Sequence, residues 1–235
     1  MKKSLLQEAM KGKLVEQIKE EGSGEELFEK IQKEKKKLIK EGKIKKQKAL
    51  PEIREEEIPF DIPEIWKWVR LGEIGEWKAG STPSRTNSEF YGGNIPWLKT
   101  GDLNDGYITD VPEYITELAL NSTSLKLNPA ESVLIAMYGA TIGKLGILKK
   151  PMTTNQACCA CQSIDGIYNL YLFYFLMASR RRLIKMAEGG AQPNISRTKI
   201  IDVIMPLPPL FEQKRIVEKL EKLLQLCDQL TIKEK

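Results

Sequence analysis

The chain has 235 residues, 41% apolar and 29% charged, the balance of a globular protein with room for one sizeable domain and extensions. Its 37 Lys and Arg against 32 Asp and Glu leave a net charge of +5, and it has no histidine. That absence excludes a Ser-His-Asp triad, a Cys-His dyad, an HExxH zinc site and a two-histidine iron triad.

The longest apolar run, Leu170 to Ala178, is nine residues long. A bilayer-spanning helix needs about 20. The opening Met1-Lys2-Lys3-Ser4-Leu5-Leu6-Gln7-Glu8 is too polar for a signal peptide. The expected location is therefore the cytoplasm, with no membrane contact. Cys158, Cys159 and Cys161 form a CCxC cluster and Cys227 stands apart. Without paired CxxC spacing or histidine, these read as reduced, buried strand residues and not as a metal site.

In chain order, Leu5, Leu6, Ala9, Met10, Leu14, Val15 and Ile18 recur at helical spacing, so residues 1–22 are expected to form a helix. Ser23 and Glu26 have capping-box spacing and predict a second helix ending near Gly42. Residues 33–48 hold nine lysines and two glutamates, a local charge of +7. Pro51, Pro59 and Pro63 punctuate an acidic stretch that reads as a linker, so residues 23–62 form a basic helix plus linker.

A different composition begins at Pro63. Residues 63–207 alternate strand-like runs with Gly, Pro and Asn turns. Strands are expected at residues 67–74, 94–99, 106–111, 133–138, 146–148, 157–163 and 200–205, and a helix at 168–188. Repeated βαβ spacing is absent, so the fold class is α/β with a mixed sheet. After the stop at Pro206-Leu207-Pro208-Pro209, residues 208–235 form a last helix. Its Ile216, Leu220, Leu223, Cys227 and Leu230 are spaced as a heptad seam. The seam calls for another helix, in its own chain or in another one.

Catalytic motifs are missing. Gly139-Ala140-Thr141-Ile142-Gly143-Lys144-Leu145 is one residue short of a Walker A loop and lacks the Ser/Thr after lysine, so it reads as a tight connection between strands. No GxGxxG follows a strand, no Asn/Asp-Pro-Pro-Tyr/Phe tetrad occurs, and Glu76-Trp77-Lys78 has no acidic element to complete a nuclease site. No catalytic residue and no metal ligand is assigned. What remains is binding chemistry. Residues 63–125 net −4 and residues 126–205 net +6. Arginine reads guanine, asparagine or glutamine reads adenine, and any cation can hold phosphate. The candidate DNA-binding residues are Ser81, Thr82, Ser84, Arg85, Lys99, Thr100, Lys144, Thr154, Asn155, Gln156, Arg180, Arg181, Arg182, Gln192, Asn194, Arg197 and Lys199. Any single loop of this kind is equally explained as a turn or cap.

Taken together and in this order, several blocks resemble the specificity (S) subunit of type I restriction–modification enzymes. They are Ile62-Pro63-Glu64-Ile65-Trp66-Lys67-Trp68-Val69-Arg70-Leu71-Gly72-Glu73-Ile74, Gly80-Ser81-Thr82-Pro83-Ser84, Ile95-Pro96-Trp97-Leu98, Gly101-Asp102-Leu103, Gly139 to Lys144, Asn155-Gln156-Ala157, Gln192-Pro193-Asn194-Ile195-Ser196 and Pro206 to Val217. Ile65 replaces the usual Gly before the first Trp. The resemblance implies a target recognition domain over residues 63–207 and coiled-coil spacer segments at both chain ends. The spacer residues would be Leu5, Leu6, Ala9 and Met10 with Ile216, Leu220, Leu223, Cys227 and Leu230.

The resemblance also implies a subunit that is not an enzyme. It would bind no cofactor itself, leaving S-adenosylmethionine, ATP and Mg²⁺ to partner methyltransferase (M) and restriction (R) subunits. Its ligand would be double-stranded DNA. Family members usually carry two recognition domains and this chain shows one, without internal repeat. It therefore looks like a half-subunit that homodimerises through its terminal helices, or pairs with a different half. The alternatives are a stand-alone methyltransferase or nuclease, and a nonspecific nucleic-acid-binding module.

Overall fold

The computed structural model describes residues 1–187 and 193–233. In chain order it contains α1 (Lys2–Met10), α2 (Gly24–Lys40), β1 (Lys67–Arg70), α3 (Leu71–Ile74), β2 (Gly75–Ala79), β3 (Tyr91–Leu98), β4 (Gly106–Ile108), β5 (Tyr114–Ile115) and α4 (Glu117–Ser122). These are followed by β6 (Val133–Ala136), β7 (Leu145–Leu148), β8 (Thr153–Thr154), β9 (Cys158–Ser163), α5 (Asn169–Ala187), α6 (Arg197–Asp202), β10 (Ile204–Leu207) and α7 (Leu210–Lys233). The fold is mixed α/β with helices at both chain ends, as expected. The chain forms two compact units. Unit 1 comprises Met1–Ile74, Ile164–Ser179 and Asp202–Lys235, and unit 2 comprises Gly75–Ser163 and Arg180–Ile201. The linear boundaries at residues 63 and 207 do not coincide with these units, because β1 and β10 pair with each other inside unit 1.

In unit 1, β1 and β10 form an antiparallel ribbon in which Trp68 lies opposite Pro206. A proline is tolerated there because a two-stranded ribbon has free edges. The Ser23 hydroxyl accepts from the Glu26 amide and the Glu26 carboxylate accepts from the Ser23 amide, so the capping box forms and starts α2. Ile31 is fully buried on the packed face of α2, and Lys35 Nζ donates to Gly72 O at 2.6 Å. A Cβ on Gly24 would lie 2.2 Å from Leu207 O, so only glycine lets α2 begin this close to the ribbon.

α1 packs on α7. Lys2 pairs with Asp228 and Gln17 Nε2 donates to Glu212 at 3.0 Å, so the two ends run antiparallel. Leu6, Ala9 and Met10 are buried on α1, and Ile216, Leu220 and Cys227 on α7. Leu5 and Leu223 are half-buried and Leu230 is exposed. The first part of the α7 seam thus has its partner helix in the same chain. At the start of α7, the fully buried Gln213 accepts from the Tyr168 amide at 2.8 Å and donates to Gly166 O and Pro208 O.

One buried cation holds the acidic linker. Arg70 is 3% exposed and donates to Pro51 O and Asp202 O at 2.7 Å, to Glu52 O at 3.0 Å and to both Glu57 carboxylate oxygens. Its planar fork suits several acceptors at once. Glu57 accepts side-chain hydrogen bonds from Arg70 and a further one from the Arg54 amide, which holds its carboxyl at about 2.

Unit 2 contains a five-stranded sheet in the order β2-β9-β6-β7-β4, antiparallel except for β4 with β7. A second sheet has the order β5-β3-β8. Cys158, Cys159, Ala160 and Cys161 are all buried in β9, between β2 and β6. Small side chains fit a strand packed on both faces. Burial pushes the Cys159 thiol up to about 12 and Cys158 well above its ordinary value, so both stay protonated and unreactive.

Several sequence expectations change. The helix expected over residues 1–22 ends at Met10, because Gly12 has φ +73 and a Cβ there would lie 2.5 Å from Pro63. The strand expected at 67–74 stops at Arg70, where the Glu73 carboxylate accepts from the Arg70 amide at 2.7 Å and Leu71–Ile74 makes a helical turn. The strand expected at 200–205 is preceded by α6, which Ser196 caps by accepting from the Lys199 amide, and pairing starts only at Ile204. β2, β5 and β8 were not expected. The last two are two-residue strands defined only by their partners.

Candidate nucleic-acid interface

The site is built where β2 ends. Gly80 N donates to Cys158 O and Ser81 N donates to Thr154 O at 2.9 Å. A Cβ on Gly80 would sit 2.0 Å from Thr154 O and 2.4 Å from Asn155 O. Glycine therefore lets the 80–85 loop lie directly on the 153–156 loop. Asn155 N donates to Leu98 O at 2.9 Å and Thr153 Oγ1 to Pro96 O at 2.9 Å, which ties the second loop to the end of β3. Trp97 Nε1 donates to Ser81 O at 3.1 Å, and the Tyr91 hydroxyl donates to Pro83 O at 2.7 Å. Thr82 bonds to Gln156, and Ser124 donates to Ser81 at 3.0 Å.

Charge enters through Arg85. Its guanidinium carbon lies 4.5 Å from the Tyr91 ring centroid and 5.0 Å from that of Trp97. It pairs with Glu113, which also pairs with Lys99 Nζ at 2.7 Å. Arg85 is the main cause that holds the Glu113 carboxyl below its ordinary value, with Lys99 adding to it. Three stretches widely separated in sequence thus converge: 81–85, 97–100 and 153–156. Of the predicted residues, Ser81, Thr82, Ser84, Arg85, Lys99, Thr100, Asn155 and Gln156 belong to this cluster. Thr154 belongs to it too, but is 1% exposed and serves the interior. Its hydroxyl and the side-chain amide oxygen (Oδ1) of Asn155 are buried without a hydrogen-bond partner among the described residues. Glu113, Tyr91 and Trp97 were missed, because nothing in a lone Glu or aromatic residue marks it as the neighbour of an arginine elsewhere in the chain.

The remaining candidates are held elsewhere in unit 2. Arg180 makes a two-pronged contact with Asp105, one bond at 3.1 Å, and Asp105 also accepts from the Leu145 amide at 3.0 Å. Arg197 donates to Trp77 O at 3.3 Å, and Lys199 Nζ donates to Met186 O. These three side chains have partners inside the protein. Arg181, Arg182, Lys144 and Asn194 are exposed. Gln192 lies outside the described residues. The Gly139–Lys144 segment joins β6 to β7, with Gly139 at φ +81 and Gly143 at φ +78, and Gly143 N donates to Ala136 O at 2.9 Å. It is the tight connection that was expected. Glu76 and Lys78 pair with each other at 2.6 Å. Among the described residues no cluster of three or more metal-ligating side chains occurs. No helix among them is long and apolar enough to cross a membrane.

The cluster offers hydroxyls, amides and two cations from loops braced by a sheet, which is recognition chemistry. The sequence profile of the type I restriction modification DNA specificity domain matches residues 63–235. The chain belongs to this family. It is 32% identical over 184 residues to the EcoR124I/EcoR124II specificity subunit of Escherichia coli, covering 76% of this chain and 45% of that one. It is also 32% identical over 247 aligned positions to the Escherichia coli EcoAI specificity subunit, covering 98% of this chain and 40% of that one. The fold matches the HsdS subunit of Thermoanaerobacter tengcongensis with a TM-score of 0.62 at 24% identity, over 89% of this chain and 48% of the other. The chain spans less than half the length of these relatives. Within the specificity-domain family match lie unit 2 and the C-terminal helix, while α1 and α2 lie outside it.

Proposed function

We propose that the chain is a sequence-specific DNA-recognition subunit of a type I restriction–modification system, itself not an enzyme. The observation that carries this reading is the convergence of Ser81–Arg85, Lys99 and Asn155–Gln156 within unit 2 of a specificity-domain family member. The loops read a half-site of double-stranded DNA, with side-chain amides and Arg85 facing base edges and exposed cations such as Lys144 and Arg181 holding phosphates. Methyltransferase and restriction subunits supply the chemistry, and S-adenosylmethionine, ATP and Mg²⁺ belong to them. The assembly works in the cytoplasm.

The test is to map modified bases in cells that carry this chain and its methyltransferase subunit. One defined motif is expected, and it disappears when the chain is removed. Modification that is unchanged without the chain overturns the reading.

The chain pairs with a second copy through its terminal helices. Exposed Leu230 at the end of the α7 seam and exposed Leu226 beside the seam support this. Two copies related by a twofold axis would read an inverted repeat, with paired helices setting the distance between half-sites. Light scattering at micromolar concentration should give a dimer, and the mapped motif should be an inverted repeat. A monomer with or without DNA counts against it.

Glu113 occupies the two cations that the cluster would offer to DNA. Glu113→Gln is expected to raise affinity for duplexes of any sequence about 2–5-fold at low salt, since exposed ion pairs are worth little and phosphates compete for the cations. Fluorescence anisotropy measures this. A fall in affinity would show instead that the carboxylate holds Arg85 in its binding pose.

A further inference from the structure

We infer that α2 and the segment following it form a second DNA-contacting surface, one that grips phosphates without reading sequence. The inference rests on the DNA-binding reading above. Its observation is the distribution of charge. The chain carries +5 and residues 33–48 carry +7, so everything else nets −2. These 16 residues of unit 1 thus carry more positive charge than the chain's net, at a higher density than the +6 spread over residues 126–205, and they lie outside the loops proposed to read bases.

The helix presents this charge in an ordered way. At 100° per residue, Lys30, Lys33, Lys36, Lys37 and Lys40 fall on one stripe, opposite the face that carries buried Ile31. All five are exposed. Among the described residues, Lys30, Lys33, Lys36 and Lys40 have no ion pair, and Lys37 has only Glu34 at 3.3 Å. The opposite face is anchored by Ile31, by Gln32 donating to Glu73 O and by Lys35 donating to Gly72 O. The stripe is therefore held rigidly, about 15 Å long from Lys30 to Lys40 at 1.5 Å per residue.

Ordinary solvation does not account for it. Cations three and four residues apart repel, so the stripe weakens its own helix. Lysines in a last helical turn complement the helix dipole. That explains Lys37 and Lys40, but not Lys43, Lys45, Lys46 and Lys48 beyond the helix end. A membrane surface does not fit, because the apolar face of α2 is already packed. Duplex DNA fits, since lysine meets phosphate as a point charge and every phosphate bound releases counterions. The stripe carries no arginine, amide or aromatic group to read a base, so its contribution is independent of sequence.

The test uses the full chain and a scrambled 40-base-pair duplex, followed by fluorescence anisotropy from about 50 to 300 mM salt. The variant is Lys33→Gln, Lys36→Gln, Lys37→Gln and Lys40→Gln combined, because glutamine keeps helix propensity. A control variant loses the same charge at the exposed Lys13, Lys19, Lys126 and Lys149. The stripe variant is expected to bind at least 10-fold more weakly at low salt, with its log–log salt slope shallower by about 2–3, near the 0.9 per phosphate contact of B-DNA. The control should keep the wild-type slope. Equal losses in both variants mean that net charge alone acts, and this overturns the inference. An unchanged slope in the stripe variant, with circular dichroism showing α2 intact, overturns it too and leaves an acidic protein partner as the occupant. Because the duplex is scrambled, a failure of the sequence-reading proposal leaves this measurement valid.

Discussion

Replacing Arg70 with methionine is expected to destabilise the folded chain by about 1–3 kcal/mol, because the charge-assisted hydrogen bonds of a buried guanidinium are lost while the partly exposed Glu57 carboxylate is left to water. Arg70 is 3% exposed and satisfies three carbonyls and the Glu57 carboxylate. Methionine fills similar volume but donates nothing, so the carbonyls of Pro51, Glu52 and Asp202 lose their donor. Urea unfolding measures the loss. Arg70→Lys should recover only part of it, since an ammonium cannot match the fork.

The same contact sets an acid limb. Arg70 and the Arg54 amide hold the Glu57 carboxyl at about 2, below its ordinary 4.5. The folded chain binds this proton less readily than the unfolded chain does. The stabilisation is complete above pH 4.5 and is lost as pH falls towards 2. In Arg70→Met this part of the stability–pH curve flattens. An unchanged acid limb, or an unchanged urea midpoint, would show that the linker is held by other contacts.

The second large effect is expected at Gly80. Gly80→Ala places a methyl group 2.0 Å from Thr154 O and 2.4 Å from Asn155 O, both backbone atoms. The 80–85 and 153–156 loops must then separate. The expected cost in stability is about 1–3 kcal/mol, as for other overpacked sites. The larger effect is on recognition. Preference for the mapped motif over scrambled DNA should fall at least 10-fold, because base readout depends on placement to about 0.5 Å. Affinity for scrambled DNA should stay near wild type. Gly101→Ala is the control, since a Cβ there meets nothing within 4 Å. A Gly80→Ala protein that keeps its motif preference would sink the idea that the two loops act as one site.

The parts legible in the sequence were those set by neighbours along the chain. Ser23 and Glu26 form their capping box because both groups sit on one helical turn. The glycines of the Gly139–Lys144 turn adopt positive φ where only glycine does so freely. The small residues of β9 matched a strand buried on both faces. The reach of the first helix was overestimated, because its apolar spacing continues to Ile18 while Gly12 must bend away beside Pro63. The two-residue strands β5 and β8 carry no local pattern, since β3 alone defines them.

The sequence by itself determined the fold class, the ordered family blocks, the lack of a catalytic motif and the concentration of lysine in residues 33–48. All of these depend on composition, spacing and order. Only the tertiary structure decided that α1 closes on α7, that residues 63–207 divide between two units, and that Arg85, Glu113 and Lys99 share one charge network. It also separated Arg180, Arg197 and Lys199, which have partners inside the protein, from Arg85 and Lys99 in the loop cluster. The physical reason is common to these cases. Partners 14 to more than 200 residues apart meet only through β pairing and core packing, and no local periodicity records such a meeting.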